Sequence, residues 1–169
     1  PRADAEMPRH LPDGKLLAEY PAVLLTEGIT RMLEEGIFDI HCHIVPGVDD
    51  GAADIEETRK LLEMEYKQGV RNIILTPHFR FQMFETSLEK VQRQFRLAEE
   101  AAADISKDLH LYLGCEFHAN MEMLPMLREK KVSTMAGSRY VLVEFSHNSE
   151  ASYIRERLSA MLSGGYRPI

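Results

Sequence analysis

Hydrophobic and polar residues change their spacing at regular intervals along this chain, and the changes predict alternating strands and helices. Leu88, Val91, Phe95 and Ala98 recur at intervals of three or four, so residues 87–105 form an amphipathic helix with one apolar stripe. Residues 54–68 do the same through Ile55, Leu61, Leu62 and Tyr66, with Asp54 at the start and Gly69 after the end. Between and beyond these helices lie apolar runs of strand length, at Phe38–Ile40, Arg71–Leu75, Leu109–Phe117 and Tyr140–Phe145. The run from His41 to Ala53 is a loop punctuated by Pro46, Gly47 and Gly51. Two further helices are expected, a short one over 121–129, interrupted near Pro125, and one over 150–162 ended by Gly164-Gly165. Arg167-Pro168-Ile169 reads as the start of another strand. Ahead of this, residues 1–15 show no periodicity and read as a disordered or loosely docked lead. A helix over 22–35 would use Val23, Leu24, Ile29, Met32 and Leu33 and end at Gly36.

The resulting order, βαβαβαβα followed by a strand, implies an α/β fold with a parallel sheet or a β/α barrel. About four βα units are present in these 169 residues, whereas a closed barrel needs roughly eight. The expectation is an incomplete barrel or a fragment, with an N-terminal extension over 1–36 and the β/α domain over 37–169.

Composition narrows this only slightly. Hydrophobic residues at 44% and charged residues at 28% are ordinary for a globular domain with a sizeable core. No apolar run approaches the roughly 18–20 residues of a membrane span, and Tyr20–Leu25 lacks the basic flank of a signal peptide. The two cysteines, Cys42 and Cys115, form no metal-type pair, and reduced thiols in a cytoplasmic protein are the simplest expectation. Net charge is −7 with lysine and arginine scattered among acids, which does not support a nucleic-acid surface.

The acids and histidines at strand ends carry the chemistry. Asp39-Ile-His41-Cys-His43 is followed by Asp49-Asp50-Gly51. Alternate residues of a strand share a face, so His41 and His43 can point at one ion, and neutral imidazole suits zinc, manganese or iron. An HxH pair alone is weak, and two chance histidines beside a loop would look the same. The later strand ends strengthen it: the second closes at Thr76-Pro-His78, the third at Glu116, the fourth at Glu144. In parallel β/α proteins catalytic groups collect at the C-terminal ends of strands. His41, His43, His78, Glu116 and Glu144 would then share one rim, with Asp50 added by the first loop. Glu144 has an alternative reading as a buried acid paired with an arginine such as Arg139. A mixed histidine and carboxylate set holding more than one ion points to metal-assisted hydrolysis. No activated serine or cysteine is evident, Cys42 and Cys115 read as small buried residues, and neither Cys-x5-Arg, GxGxxG nor GxxxxGK[ST] occurs. His118 and His147 lie near strand ends as secondary candidates, while His10 and His110 read as bystanders. Arg80 reads equally as a phosphate contact or a solvated arginine. Met83 and Phe84 read as contacts to an aromatic substrate or as anchors of an apolar lid.

The segment Asp39-Ile-His-Cys-His-Ile-Val-Pro-Gly-Val-Asp-Asp-Gly51 closely resembles the opening motif of the PHP-superfamily protein-tyrosine phosphatases of bacterial capsule and exopolysaccharide loci. Thr76-Pro-His78, Gly114-Cys-Glu116 and Val143-Glu-Phe-Ser146 are similar to its later motifs in order and spacing, so the resemblance spans about residues 37–169. It implies a distorted β/α barrel with a trinuclear centre, usually of Mn2+. It further implies that His41 and His43 bind one metal, that Glu116 bridges it to a second metal also bound by Glu144, and that Asp50 and His78 bind a third. Glu116, Asp50 and His78 are the ligands expected to be catalytic as well, and a water activated by the metals is the implied nucleophile. The implied substrate is phosphotyrosine on the tail of a cognate capsule tyrosine kinase, with an oligomer possible. The family draws further ligands and phosphate-holding arginines from positions beyond Ile169. The residues present are therefore expected to bind manganese weakly and turn over little substrate by themselves. Two other functions fit the same motifs: a phosphoesterase acting on a small phosphate monoester, and a non-catalytic metal-binding module.

Overall fold

The computed structural model describes residues 36–169, and the lead and helix expected over 1–35 lie outside the described residues. Ile37–Ile169 form one compact unit. Its elements run β1 (Ile37–Cys42), α1 (Ile55–Lys67), β2 (Val70–Leu75), β3 (His78–Phe79), α2 (Leu88–Ile105), β4 (His110–Leu113), β5 (Glu116–His118), α3 (Met123–Arg128), β6 (Tyr140–Glu144), α4 (Ala151–Ser163) and β7 (Arg167–Pro168). A 3₁₀ turn at Met135–Gly137 leads into β6.

Helix starts follow the local chemistry. The Asp54 carboxylate accepts from the Glu57 amide at 2.9 Å, and Glu57 returns the contact by accepting from the Ala53 amide at 2.9 Å. Ser87 accepts from the Lys90 amide to open α2. Gly69, at φ +94°, turns the chain out of α1 into β2, a left-handed conformation that favours glycine.

Every strand pairing among the named strands is parallel. The orders are β1-β2-β4 and β3-β5-β6-β7. Two expectations need correction here. The strand expected over 109–117 is interrupted, giving β4 and β5, and the segment after Leu75 resumes as β3. The register is the same on both sides of the interruption, with Leu75 opposite Leu113 and His78 opposite Glu116. Hydrogen bonds also cross it, from the Gly114 amide to Leu75 O at 2.8 Å and from the Glu116 amide to Pro77 O at 3.1 Å. The cause is local: Pro77 has no N–H to donate, and Gly114 sits where a Cβ would lie 2.9 Å from Ile74 Cγ2 and 3.1 Å from Thr76 Cγ2. The second correction is at β1, which continues to Cys42, so His41 lies in the strand and not in the loop.

Taken through the breaks, the strands neighbour one another in chain order with a helix between each and the next, as in a β/α barrel. One apolar core lies under α1 and α2, with Leu62, Ile73, Leu75, Val45 and Ala98 fully buried. A second surrounds Phe117, Val141, Met123 and Met161 beneath α3 and α4. Both leave the C-terminal strand ends at one rim.

Candidate metal centre

His41 and His43 come from the end of β1, His78 opens β3, Glu116 opens β5 and Glu144 ends β6. Thr76 fixes the junction beneath them. Its fully buried hydroxyl lies 3.1 Å from the Cys42 amide and 3.2 Å from Cys42 O, tying β1 to the β2–β3 break.

Three imidazoles converge on one carboxylate oxygen. Glu116 Oε2 lies 3.0 Å from His41 Nε2, 3.1 Å from His43 Nε2 and 3.3 Å from His78 Nδ1. Glu144 Oε2 is 3.9 Å from His78 Nδ1, and Asp50 Oδ1 is 3.7 Å from His78 Nε2. The donors form three overlapping groups: His41, His43 and Glu116; His43, Asp50 and His78; His78, Glu116 and Glu144. Within each group the potential ligand atoms lie within 4.8 Å of one another. All six residues singled out from the sequence are therefore brought together.

The donor chemistry suits divalent cations. Among the described residues no lysine or arginine forms an ion pair with Glu116, Glu144, Asp49 or Asp50. His78 Nδ1 and Glu144 Oε2 are buried without a hydrogen-bond partner. Buried acceptors facing one another without a compensating positive charge are costly, and a bound cation removes that cost. The alternative pairing of Glu144 with Arg139 does not occur, since Arg139 precedes β6 at the opposite end of the strand.

Asp49 was not singled out from the sequence, and it is the best-connected group in the site. Its carboxylate is fully buried and accepts from His43 Nδ1 at 2.9 Å, from the His78 amide at 2.9 Å and from the Gly51 amide at 3.0 Å. Burial alone would raise its carboxyl, but these hydrogen bonds outweigh burial and hold it below the usual range. The same contact raises His43, chiefly through the hydrogen bond to Asp49. In the neutral ring, ionised Asp49 keeps the proton on Nδ1 and leaves the Nε2 lone pair free for a cation. The signal in the sequence was Asp49-Asp50-Gly51, but nothing local says which of two adjacent acids turns inward.

The remaining candidates separate. His110 and His147 are exposed and belong to none of the three groups, and His10 lies outside the described residues. His118 stands next to the site, with Nε2 3.0 Å from Ser146 Oγ. Phe84 stacks on His78, with ring centroids 5.2 Å apart and planes 9° apart, so it anchors the turn after β3. Met83 beside it is exposed. Burial drives up the thiols of half-buried Cys42 and buried Cys115, as befits inert cysteines.

Fold and site together define a parallel β/α protein whose strand ends carry a multi-donor metal-type centre. Residues 37–169 match the family described as capsular polysaccharide synthesis, CpsB/CapC, and the chain belongs to it. It is 40% identical over 133 residues to the tyrosine-protein phosphatase CpsB of Streptococcus pneumoniae, covering 79% of this chain and 55% of that protein. Identity is 35% over 133 residues to CpsB of Streptococcus agalactiae, with the same coverage of 79% and 55%. It is 28% over 140 residues to the tyrosine-protein phosphatase YwqE of Bacillus subtilis, covering 79% and 52%. A solved structure from work on YwqE of B. subtilis and CpsB of S. pneumoniae, described there as unique metal-dependent tyrosine phosphatases, superposes with a TM-score of 0.71 at 26% identity. That match covers 78% of this chain and 53% of the other. The chain thus spans about half the length of the curated relatives it matches. No described helix is long and apolar enough to cross a membrane.

Proposed function

We propose that these residues form part of the active centre of a metal-dependent phosphatase. Its substrate is phosphotyrosine on a bacterial capsule tyrosine kinase, and its setting is cytoplasmic control of capsular polysaccharide synthesis. The observation that carries the reading is the convergence of His41, His43 and His78 on Glu116 Oε2, with no lysine or arginine ion-paired to Glu116 among the described residues. In this reading His41, His43 and Glu116 would hold one ion, Glu116 and Glu144 a second, and Asp50 and His78 a third. Manganese is the metal proposed.

Bound divalent ions would supply Lewis acidity toward the phosphoryl oxygens and toward an attacking water. The protein's own contribution is orientation. Asp49 holds the His43 tautomer, the Phe84 ring fixes the plane of His78, and the Thr76 hydroxyl ties down the end of β1. Asp50, at 65% side-chain exposure, and His41, at 46%, face the open side from which a substrate would arrive.

The test is metal content by elemental analysis together with turnover, on the native protein and on this chain. Hydrolysis of a phosphotyrosine peptide, lost with EDTA and restored by Mn2+, is the expected result. A strong preference for small phosphate monoesters would overturn the assigned substrate, and a protein that retains no divalent metal would overturn the centre.

A further inference from the structure

Three adjacent strands, with the residues that directly continue two of them, present pairs of the form i and i+2 on the rim face. Phe79, Phe117, Val143 and Phe145 turn into the second core, and the rings of Phe79 and Phe117 meet at 5.3 Å. Alternation, carried one residue past β3 and two past β6, therefore puts His78 with Arg80, Glu116 with His118, and Glu144 with Ser146 on the opposite side. The register agrees, pairing His78 with Glu116 and His118 with Glu144. In each pair the first residue belongs to the metal-type groups, and the second is a cation or a neutral hydrogen-bonding group.

The second residues stand together. His118 Nε2 is 3.0 Å from Ser146 Oγ, and Arg80 and His118 each follow directly on the paired residues Phe79 and Phe117. The Arg80 backbone is held from both sides, its amide donating to Phe84 O at 2.9 Å and its carbonyl accepting from the Phe84 amide at 2.8 Å. Arg80 is half-buried, and its guanidinium has no hydrogen bond or ion pair among the described residues, although acids crowd the neighbouring site. An arginine on an anchored backbone, its guanidinium without a charged partner beside two neutral hydrogen-bonding groups, matches a tetrahedral oxyanion, which a guanidinium grips through two parallel N–H bonds. A Ser146 hydroxyl that donates to His118 Nε2 leaves the ring proton on Nδ1, a further donor.

We propose that Arg80, His118 and Ser146 form a phosphoryl-binding shelf above the metal-type centre, which grips the non-bridging oxygens of a phosphate monoester. The proposal rests on the phosphoesterase reading for its substrate class, but anion binding can be read without turnover. Inorganic phosphate is titrated into the full chain, wild type and the variants Arg80→Ala, Arg80→Lys and His118→Ala, while the His118 ring resonances are followed by NMR and metal content is measured. We expect wild-type metal content in all four proteins and a phosphate-dependent shift of the His118 ring in the wild type. Phosphate affinity should fall at least about tenfold in Arg80→Ala, the size of one charge-assisted hydrogen bond, with partial recovery in Arg80→Lys. In the native protein the same variant should raise KM for a phosphate monoester more than it lowers kcat. Wild-type phosphate affinity in both alanine variants, or no shift of His118 in the wild type, would overturn the shelf. A protein that shows the shift but hydrolyses no phosphate monoester with any divalent metal would keep the shelf and sink the phosphoesterase reading.

Discussion

Asp49 shows how one buried side chain can set the chemistry of a site without facing it. One of its oxygens accepts from both His43 Nδ1 and the His78 amide, and the other accepts from the Gly51 amide. An asparagine has a single acceptor oxygen, so Asp49→Asn must turn its NH2 toward one of these donors. If the NH2 meets His43, the imidazole tautomer reverses and Nε2 gains the proton that bars it from a metal. Asp49→Asn is therefore expected to lower metal affinity by about 10- to 100-fold, the usual cost of losing such a supporting carboxylate. Calorimetric titration of Mn2+ checks this, and unchanged affinity would show that another group orients His43.

At the scale of elements, two glycines decide where the histidines and acids land. Gly114 lets β4 approach the β2–β3 break closely, and from that break both strands restart with a site residue in first place, His78 and Glu116. The three atoms nearest a Cβ there are side-chain atoms of Ile74, Met135 and Thr76, at 2.9–3.1 Å. Gly51 is tighter, since a Cβ would lie 2.1 Å from His43 O and 2.5 Å from His43 Cβ. The neighbouring Ala52 amide already donates to that carbonyl at 2.9 Å, so the loop cannot yield without dragging His43. Gly114→Ala is expected to cost about 1 kcal/mol in urea unfolding and to spare metal binding. Gly51→Ala is expected to cost about 3 kcal/mol and to weaken metal binding as well. Equal effects of the two on metal affinity would show that the His43 loop does not shape the centre.

For the molecule as a whole, a centre built from four successive strands couples ligand binding to folding. Each strand supplies a donor and none suffices alone, so a divalent ion that binds only the assembled rim must stabilise the native state by mass action. The thermal midpoint of the wild-type chain should rise with Mn2+ concentration, and the rise should vanish in Glu116→Gln, which removes the carboxylate shared by three histidines. Scanning calorimetry at several metal concentrations reads this directly. An equal rise in the variant would place the ion elsewhere.

The alternation of strands and helices was legible because apolar spacing is a local property. α1 starts at the expected cap, Asp54, because capping depends on only a few neighbouring residues. His41, His43, Asp50, His78, Glu116 and Glu144 could be picked out as candidates because strand ends are visible in the chain and parallel topology gathers them. Tertiary structure alone decided the rest. The break at Pro77 and Gly114 depends on how closely two strands pack, and the inward turn of Asp49 depends on where His43, Gly51 and the His78 amide meet it. The shelf of Arg80, His118 and Ser146 needs three strands in register. Local pattern records what a segment is, whereas the orientation of a polar side chain is set by partners far along the chain.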